Sequence, residues 1–303
     1  MVTGAGGLLG HRVARLLVRR GHKVLLTSRE KQIADAPAPV VQCDLTDIEQ
    51  TREAVERFGP DAIVHCAGLA DPDRCKNRGR TNAFNENVGM TAHLAYAITE
   101  LRTHFINVST DHVFEGNRGP YSEDDIPGPI NEYGLSKLAA ERSTVKLTRQ
   151  WSIARTAVLL GWPARGRSNF GAWLLSALEA KQRVKLFSDQ LITPSLASNV
   201  AAQLVELVER KLTGVWHLCG AETVDRMTFG QAFCEAFGFD PGLLHAGSAV
   251  TGFDTKRPLQ AGLKSDKAAR ALEAKPLPLK EALEGLKIEY AFDKGSLLFL
   301  PLK

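Results

Sequence analysis

The sequence predicts an α/β fold: a doubly wound parallel sheet followed by a smaller C-terminal lobe. Three observations carry this expectation. Short β-branched apolar runs alternate with longer amphipathic stretches through the first half of the chain. A glycine-rich turn stands at the first strand-to-helix junction, where such folds place one. The length of 303 residues, with 44% hydrophobic and 24% charged side chains, suffices for one large α/β core plus a lobe and excludes a disordered or fibrous chain.

The runs at residues 23–27, 62–67, 105–109 and 152–159 read as strands, and the stretches 11–20, 47–58 and 84–101 as helices. Strands joined by helical crossovers form a parallel sheet covered on both faces. The strand leading into the glycine turn has only Met1, Val2 and Thr3 where a central strand usually has about five or six residues. The first strand is therefore expected to look truncated, either because residues are missing before it or because the centre of the sheet is thinly filled.

Beyond residue 160 the alternation becomes irregular. A Gly/Pro/Arg-rich stretch covers 161–167 and a Pro- and Lys-rich one 256–278, with helical patterns at 170–181, 197–211 and 228–237 and a short strand at 215–218. Residues 1–160 are assigned to the doubly wound domain and 161–303 mainly to the second lobe, with some later segments returning to the first sheet. No internal repeat or low-complexity tract interrupts this plan.

Lys plus Arg number 38 against 34 Asp plus Glu, and the charges are scattered without a basic block. Nucleic acid is not expected as a partner. The slight cationic excess either favours a phosphorylated or acidic small ligand or only solvates the surface. Cys43, Cys66, Cys75, Cys219 and Cys234 form an odd set without a C-x-x-C pair, so neither a disulfide framework nor a zinc site is expected. The histidines show no H-E-x-x-H spacing, and no metal is expected. No apolar run reaches the roughly 18 residues of a membrane span, and no signal-like segment precedes the glycine turn. The expectation is a soluble cytoplasmic protein with no membrane partner.

Gly4, Gly7 and Gly10 fall in the spacing G-x-x-G-x-x-G, with Leu8 and Leu9 opening the following helix. Glycines permit the tight turn and the close backbone approach of a pyrophosphate, and the helix N-terminus offers free N–H groups and a positive dipole end. The turn is thus read as a dinucleotide cradle of Rossmann type. A phosphate-binding P-loop is excluded, because His11 and Arg12 follow Gly10 where that motif needs Lys and then Ser or Thr. The second strand ends in Ser28 and Arg29, without the acid that holds the ribose 2′-hydroxyl of NAD. Both residues suit a 2′-phosphate, so NADPH is favoured over NADH; the other reading of Arg29 is a loop cation, and NAD stays open.

Tyr133 and Lys137 stand four residues apart, on one face of a helix if that segment is helical. A neighbouring cation favours the phenolate and eases proton exchange, so Tyr133 is the candidate to protonate a carbonyl oxygen as hydride reaches its carbon. The spacing also occurs at Tyr290 and Lys294, without a preceding nucleotide-binding strand. Upstream of Tyr133, however, an apolar strand ends in Ser109, Thr110 and Asp111, where hydroxyls at the carboxyl end of a parallel strand face the ligand crevice.

With these residues in hand the chain resembles the extended branch of the short-chain dehydrogenase/reductases, and within it the dTDP-4-dehydrorhamnose reductase family. The matching stretches are 2–10, 43–45, 65–68, 109–116, Pro120 with Tyr121, 133–137, Arg155 with Thr156, Asp189 and Gln190 with Pro194, and Arg257 with Pro258. They span nearly the whole chain, and 109–137 is the most diagnostic. The resemblance implies an NAD(P)H-dependent oxidoreductase that reduces the 4-keto group of a nucleotide-linked deoxysugar. It places Thr110 where the superfamily has its catalytic serine, makes Tyr133 the acid, and gives Lys137 the nicotinamide ribose. It sets Asp44 and Leu45 beside the adenine, Ala67, Gly68 and Leu69 along the cofactor ribose and phosphates, Ser109 on the cofactor, and Asn87 in the family's asparagine position. Asp111 and His112 would touch the sugar. Arg257 is either a ligand of the substrate diphosphate or a surface cation.

Two departures bear on the substrate. His112 stands where the family usually has tyrosine, and the run 155–158 ends in Ala157 and Val158 where the family has serine and a sugar-stacking tryptophan. Either the pocket takes another nucleotide sugar, or Trp162 or another residue fills the gap. Rival readings are an epimerase or dehydratase of the same branch and a non-catalytic NADP-binding subunit, since the chain also resembles the regulatory beta subunit of methionine adenosyltransferase. A homodimer is kept open. Asp189 and Gln190 either shape the substrate mouth or only form a turn. Cys66 is read as a small hydrophobe in the sheet.

Overall fold

Val2 and Thr3 are fully buried and form β1 (Val2–Thr3), an interior strand of a seven-stranded parallel sheet. The computed structural model describes residues 1–77, 80–162 and 169–293; residues 163–167 of the Gly/Pro/Arg-rich stretch and Lys294 lie outside these. β2 (Leu26–Ser28) and β3 (Val40–Gln42) extend the sheet on one side of β1. β4 (Ala62–His65), β5 (His104–Thr110) and β6 (Gln150–Thr156) extend it on the other. Strand order therefore reverses between β1 and β4, which opens a crevice at the carboxyl ends of the strands. β1 is as short as its sequence suggests, and the buried Met1 ammonium continues its edge by donating to Ala62 O at 2.8 Å.

Helices cover both faces, as buried parallel strands require. α1 (Leu8–Arg19) has Leu9, Val13, Ala14 and Leu17 at helical spacing, and this stripe packs on Val2, Leu26 and Val64. α2 (Ile48–Phe58) begins at Asp47, whose carboxylate accepts from Glu49 N and Gln50 N, and ends at left-handed Gly59. Such an N-cap is worth about 1 kcal/mol. The expected single helix over 84–101 is instead broken: α3 (Pro72–Asn77) and α4 (Arg80–Phe84) lead into a π-helical segment, Asn85–Gly89, and then α5 (Met90–Ala97). The wider turn brings Asn87 inward, where its amide holds Leu69 and Ser136, a tertiary demand invisible to periodicity. α6 (Glu132–Leu147) is capped by Asn131, which accepts from Gly134 N.

After β6 the chain builds the other lobe. It contains α7 (Phe170–Glu179) and three small sheets, each of two strands. β7 (Leu159–Leu160) pairs with β10 (Ser195–Leu196), β8 (Val184–Phe187) with a strand at Leu244–Gly247, and β9 (Leu191–Ile192) with one at Val224–Asp225. Leu174, Leu178, Phe229 and Phe233 form the core of this lobe. The chain also returns to the first sheet: α8 (Ala197–Glu209) packs on α1, and β11 (Gly214–His217) pairs in parallel with β6. α9 (Arg226–Phe237) starts two residues earlier than the periodicity suggests, because Asp225 caps it through Met227 N and Thr228 N. α10 (Asp266–Ala271) and α11 (Leu279–Asp293) close the described chain. Among the described residues no helix is long and apolar enough to cross a membrane.

Candidate active site

The crevice at the switch point holds about 800 Å³ and runs from the glycine turn to the second lobe. Gly4 has φ +64°, and a Cβ there would lie 2.6 Å from Ala67 N; a Cβ on Gly10 would lie 2.5 Å from Gly4 O. Only glycine lets the turn, the start of α1 and the end of β4 pack this closely. No side chain caps α1 and no acid stands in its first turn, so the N–H groups of Leu8, Leu9 and Gly10 face the crevice ready for an anion. Gly7 lines it beside them. The turn thus fits a dinucleotide diphosphate.

The remaining expected cofactor residues sort into those that face the crevice and those that support it. Ser28, Arg29, Asp44 and Leu45 line its outer end. Ser28 Oγ accepts from Glu30 N, and the Asp44 carboxylate holds Thr46, so both acceptors are partly engaged. Glu30, which the sequence reading passed over, also lines this end. Ala67, Gly68 and Leu69 form the wall after β4, held by Asn87: its Oδ1 accepts from Leu69 N at 2.8 Å, and its Nδ2 donates to Leu69 O and Ser136 Oγ. Asn87 thus shapes the wall with both amide groups already used. The half-buried Cys66 lines the crevice while packing on the sheet core, and burial pushes its thiol up to about 12.

At the inner end, Tyr133 and Lys137 share one face of α6 and both are buried. Thr110, the last residue of β5, lines the crevice together with Tyr133. Thr110 Oγ1 in turn donates to Asp111 Oδ1 at 3.0 Å and accepts from His112 N at 3.2 Å. The phenol is displaced opposite to the expectation from its cation neighbour. Burial pushes it above the ordinary tyrosine value, and the neighbouring Thr110 side chain opposes that only in part. Tyr133 is therefore protonated at neutral pH, as a proton donor must be. Lys137 Nζ donates to Val108 O at 2.7 Å, and burial lowers its pKa to about 8 against the pull of Glu141. Burial likewise raises Asp111 to about 6.

Ser109 is the expected cofactor residue whose side chain is committed elsewhere: its Oγ donates to Glu141 Oε1 at 2.5 Å behind the crevice wall. Asp111, His112, Arg226 and Arg257, the first two expected to touch a sugar, line the crevice as well. Arg257 donates to Asp73 at 2.6 Å and lies over the Phe253 ring. Arg226 donates to Gln190 at 2.6 Å and lies over Phe170, and burial lowers its pKa to about 10. Sequence reasoning missed Arg226 because it started this helix at Thr228; the Asp225 cap was the available signal. Gln190 serves Arg226, whereas Asp189 accepts from Ser248 and Ala249 in a turn. Trp162 does not replace the missing tryptophan: its ring packs on Tyr290 at 4.7 Å, and Ala157, Val158 and Asn169 line that part of the crevice instead. Tyr290 itself donates to Glu179 on the outside of the second lobe.

Residues 1–291 match the model of the RmlD substrate binding domain family. A probable low-salt glycan biosynthesis reductase of Haloferax volcanii is 36% identical over 81% of this chain and 82% of its own. A dTDP-4-dehydrorhamnose reductase of Mycolicibacterium smegmatis is 30% identical over 100% of this chain and 88% of its own. The methionine adenosyltransferase 2 subunit beta of Danio rerio is 28% identical over 97% of this chain and 91% of its own. Among solved structures, a dTDP-4-dehydrorhamnose reductase of Bacillus anthracis in complex with NADP superposes with a TM-score of 0.85, covering 95% of this chain and 98% of that one at 23% identity. The parallel sheet, the glycine turn and the matched length agree: the chain belongs to the RmlD substrate-binding domain family.

Proposed function

We propose that this chain is an NADPH-dependent reductase of the 4-keto group of a nucleotide-linked deoxysugar, with Tyr133 as the proton donor. The observation that carries the proposal is the convergence of Tyr133, Lys137 and Thr110 in one crevice with an uncapped helix N-terminus. The relatives named as reductases and the NADP held by a protein of the same fold support it.

The glycine turn, Arg29 and Lys137 would hold the cofactor, which supplies hydride when bound. Tyr133 gives its proton to the carbonyl oxygen as charge develops there, and the Thr110 hydroxyl in the same crevice shares that charge. Lys137, charged below about pH 8, places a cation near the same oxygen. Arg226 and Arg257, whose charges both reach His112 in the crevice, suit the substrate diphosphate. The division of labour between the lobes follows, with residues 1–160 taking the cofactor and the second lobe contributing the two arginines.

A panel of 4-keto nucleotide sugars followed at the nicotinamide absorbance tests this reading. Steady NADPH consumption supports it. A tightly held cofactor recycled without net consumption supports an epimerase or dehydratase. Co-purification with an adenosyltransferase, without turnover of any keto sugar, supports the binding-subunit reading.

A further inference from the structure

The Asn131 side chain touches three parts of the substrate side at once. Its Oδ1 accepts from Gly134 N at 2.8 Å, capping the helix that carries Tyr133 and Lys137. Its Nδ2 donates to Lys256 O at 3.0 Å, in the loop that carries Arg257. The same Nδ2 lies 3.2 Å from His112 Nδ1. Both ends of the amide are therefore assigned by their neighbours, since Gly134 N–H needs an acceptor and Lys256 O a donor. An amide nitrogen has no lone pair to offer, so His112 Nδ1 must be the acceptor and its ring proton must sit on Nε2.

His112 stands edge-on to Tyr133, with ring centroids 5.4 Å apart, and lines the crevice. Among the described residues no acceptor is recorded for its Nε2. The surroundings also oppose a second proton: burial comes first, then the charges of Arg257 and Arg226, and together they lower the ring to about 3. Asp111 is the acid of the same turn, and it is itself raised by burial.

We infer that Asn131 is a positioning residue that locks His112 as a neutral Nε2–H donor aimed at an oxygen acceptor of the sugar. The inference rests on the proposed reductase reading for the identity of that acceptor, but the lock itself does not. One residue thus couples the cap of the acid-bearing helix to the hydrogen-bonding character of the sugar subsite. Gly134 permits the coupling, because a Cβ there would lie 2.1 Å from His112 O.

Asn131→Asp tests it on the full chain. Asp caps a helix as well as Asn, so the fold is kept, while the donor facing His112 becomes an acceptor. Nitrogen-edited NMR of the histidine rings should show His112 protonated only on Nε2 between about pH 5 and 8 in the parent protein. In the variant the proton should move to Nδ1. With a turned-over keto sugar, its KM should rise about three- to tenfold, the value of one neutral hydrogen bond, with NADPH affinity unchanged. If Asn131→Asp does not fold, Asn131→Ser, which also caps, is measured instead and should release the tautomer. A ring protonated on Nδ1 in the parent protein, or a tautomer and KM unmoved by these variants, overturns the inference. Absence of any keto-sugar turnover refutes the reductase reading and leaves the tautomer result to decide the lock.

Discussion

Glu141 receives two hydrogen bonds from Arg155, at 3.0 Å from Nε and 2.8 Å from Nη2, and both side chains are at most 5% exposed. The pair lies directly behind the crevice. Glu141 is one turn beyond Lys137 on α6, and its carboxylate also accepts from Ser109. Arg155 lies over the Phe114 ring, 5.1 Å from its centroid. Removing one partner of such a pair leaves a buried charge uncompensated, at a cost of about 3–5 kcal/mol. Glu141→Gln should therefore lower the denaturant midpoint strongly, and adding Arg155→Met should recover most of the loss. An unchanged midpoint for the single variant contradicts this account.

Acid should destabilise the fold through its histidines. His65, His112 and His217 are lowered to about 3 and His104 to about 4, in each case chiefly by burial. Between those values and about 6.5 the unfolded chain binds protons that the native state refuses, so stability falls as pH falls through that window. Asp111, raised to about 6, acts in the opposite direction between about 3.9 and 6, as one group against four. Thermal melts between about pH 7 and 4.5 check the sign; a midpoint that rises on acidification contradicts it.

Lys137 sets an alkaline limit on cofactor binding. Its pKa of about 8 means that the cation is present below that pH and lost above it. NADPH affinity should weaken as pH rises through about 8, while Lys137→Arg, charged throughout, should remove the dependence. Fluorescence titration of NADPH measures both, and a flat profile in the parent protein refutes the assignment.

Arg29 should discriminate between the two nicotinamide cofactors. It lies exposed at the outer end of the crevice, and Glu30 beside it works against an added phosphate. Arg29→Ala should weaken NADPH by about tenfold or more, the value of a charge-assisted bond, and NADH far less. Equal weakening of both removes Arg29 from the 2′-phosphate.

The doubly wound sheet was legible in the sequence because parallel strands and their crossover helices differ in period, and the glycine turn marked which junction faces the crevice. Thr110 and Tyr133 were legible for the same reason: one ends a strand and the other opens a helix, so topology alone brings them together. The break at Asn85–Gly89 was not, because it arises from what Asn87 holds across the fold and not from local propensity. Arg226 and Asp73 were missed for a related reason. Each acquires its role from a partner far along the chain, Gln190 for one and Arg257 for the other. Ser109 sits where strand topology predicts, yet the buried Glu141 takes its hydroxyl away from the crevice.

The most direct test is a single-turnover comparison of the parent protein with Tyr133→Phe, both saturated with NADPH and given a 4-keto nucleotide sugar that the parent consumes. The phenol proton alone is deleted, so the rate of nicotinamide oxidation should fall by about 10²- to 10⁴-fold while NADPH affinity stays the same. An equal rate in both proteins would remove the proton from Tyr133 and with it the carbonyl-reducing site.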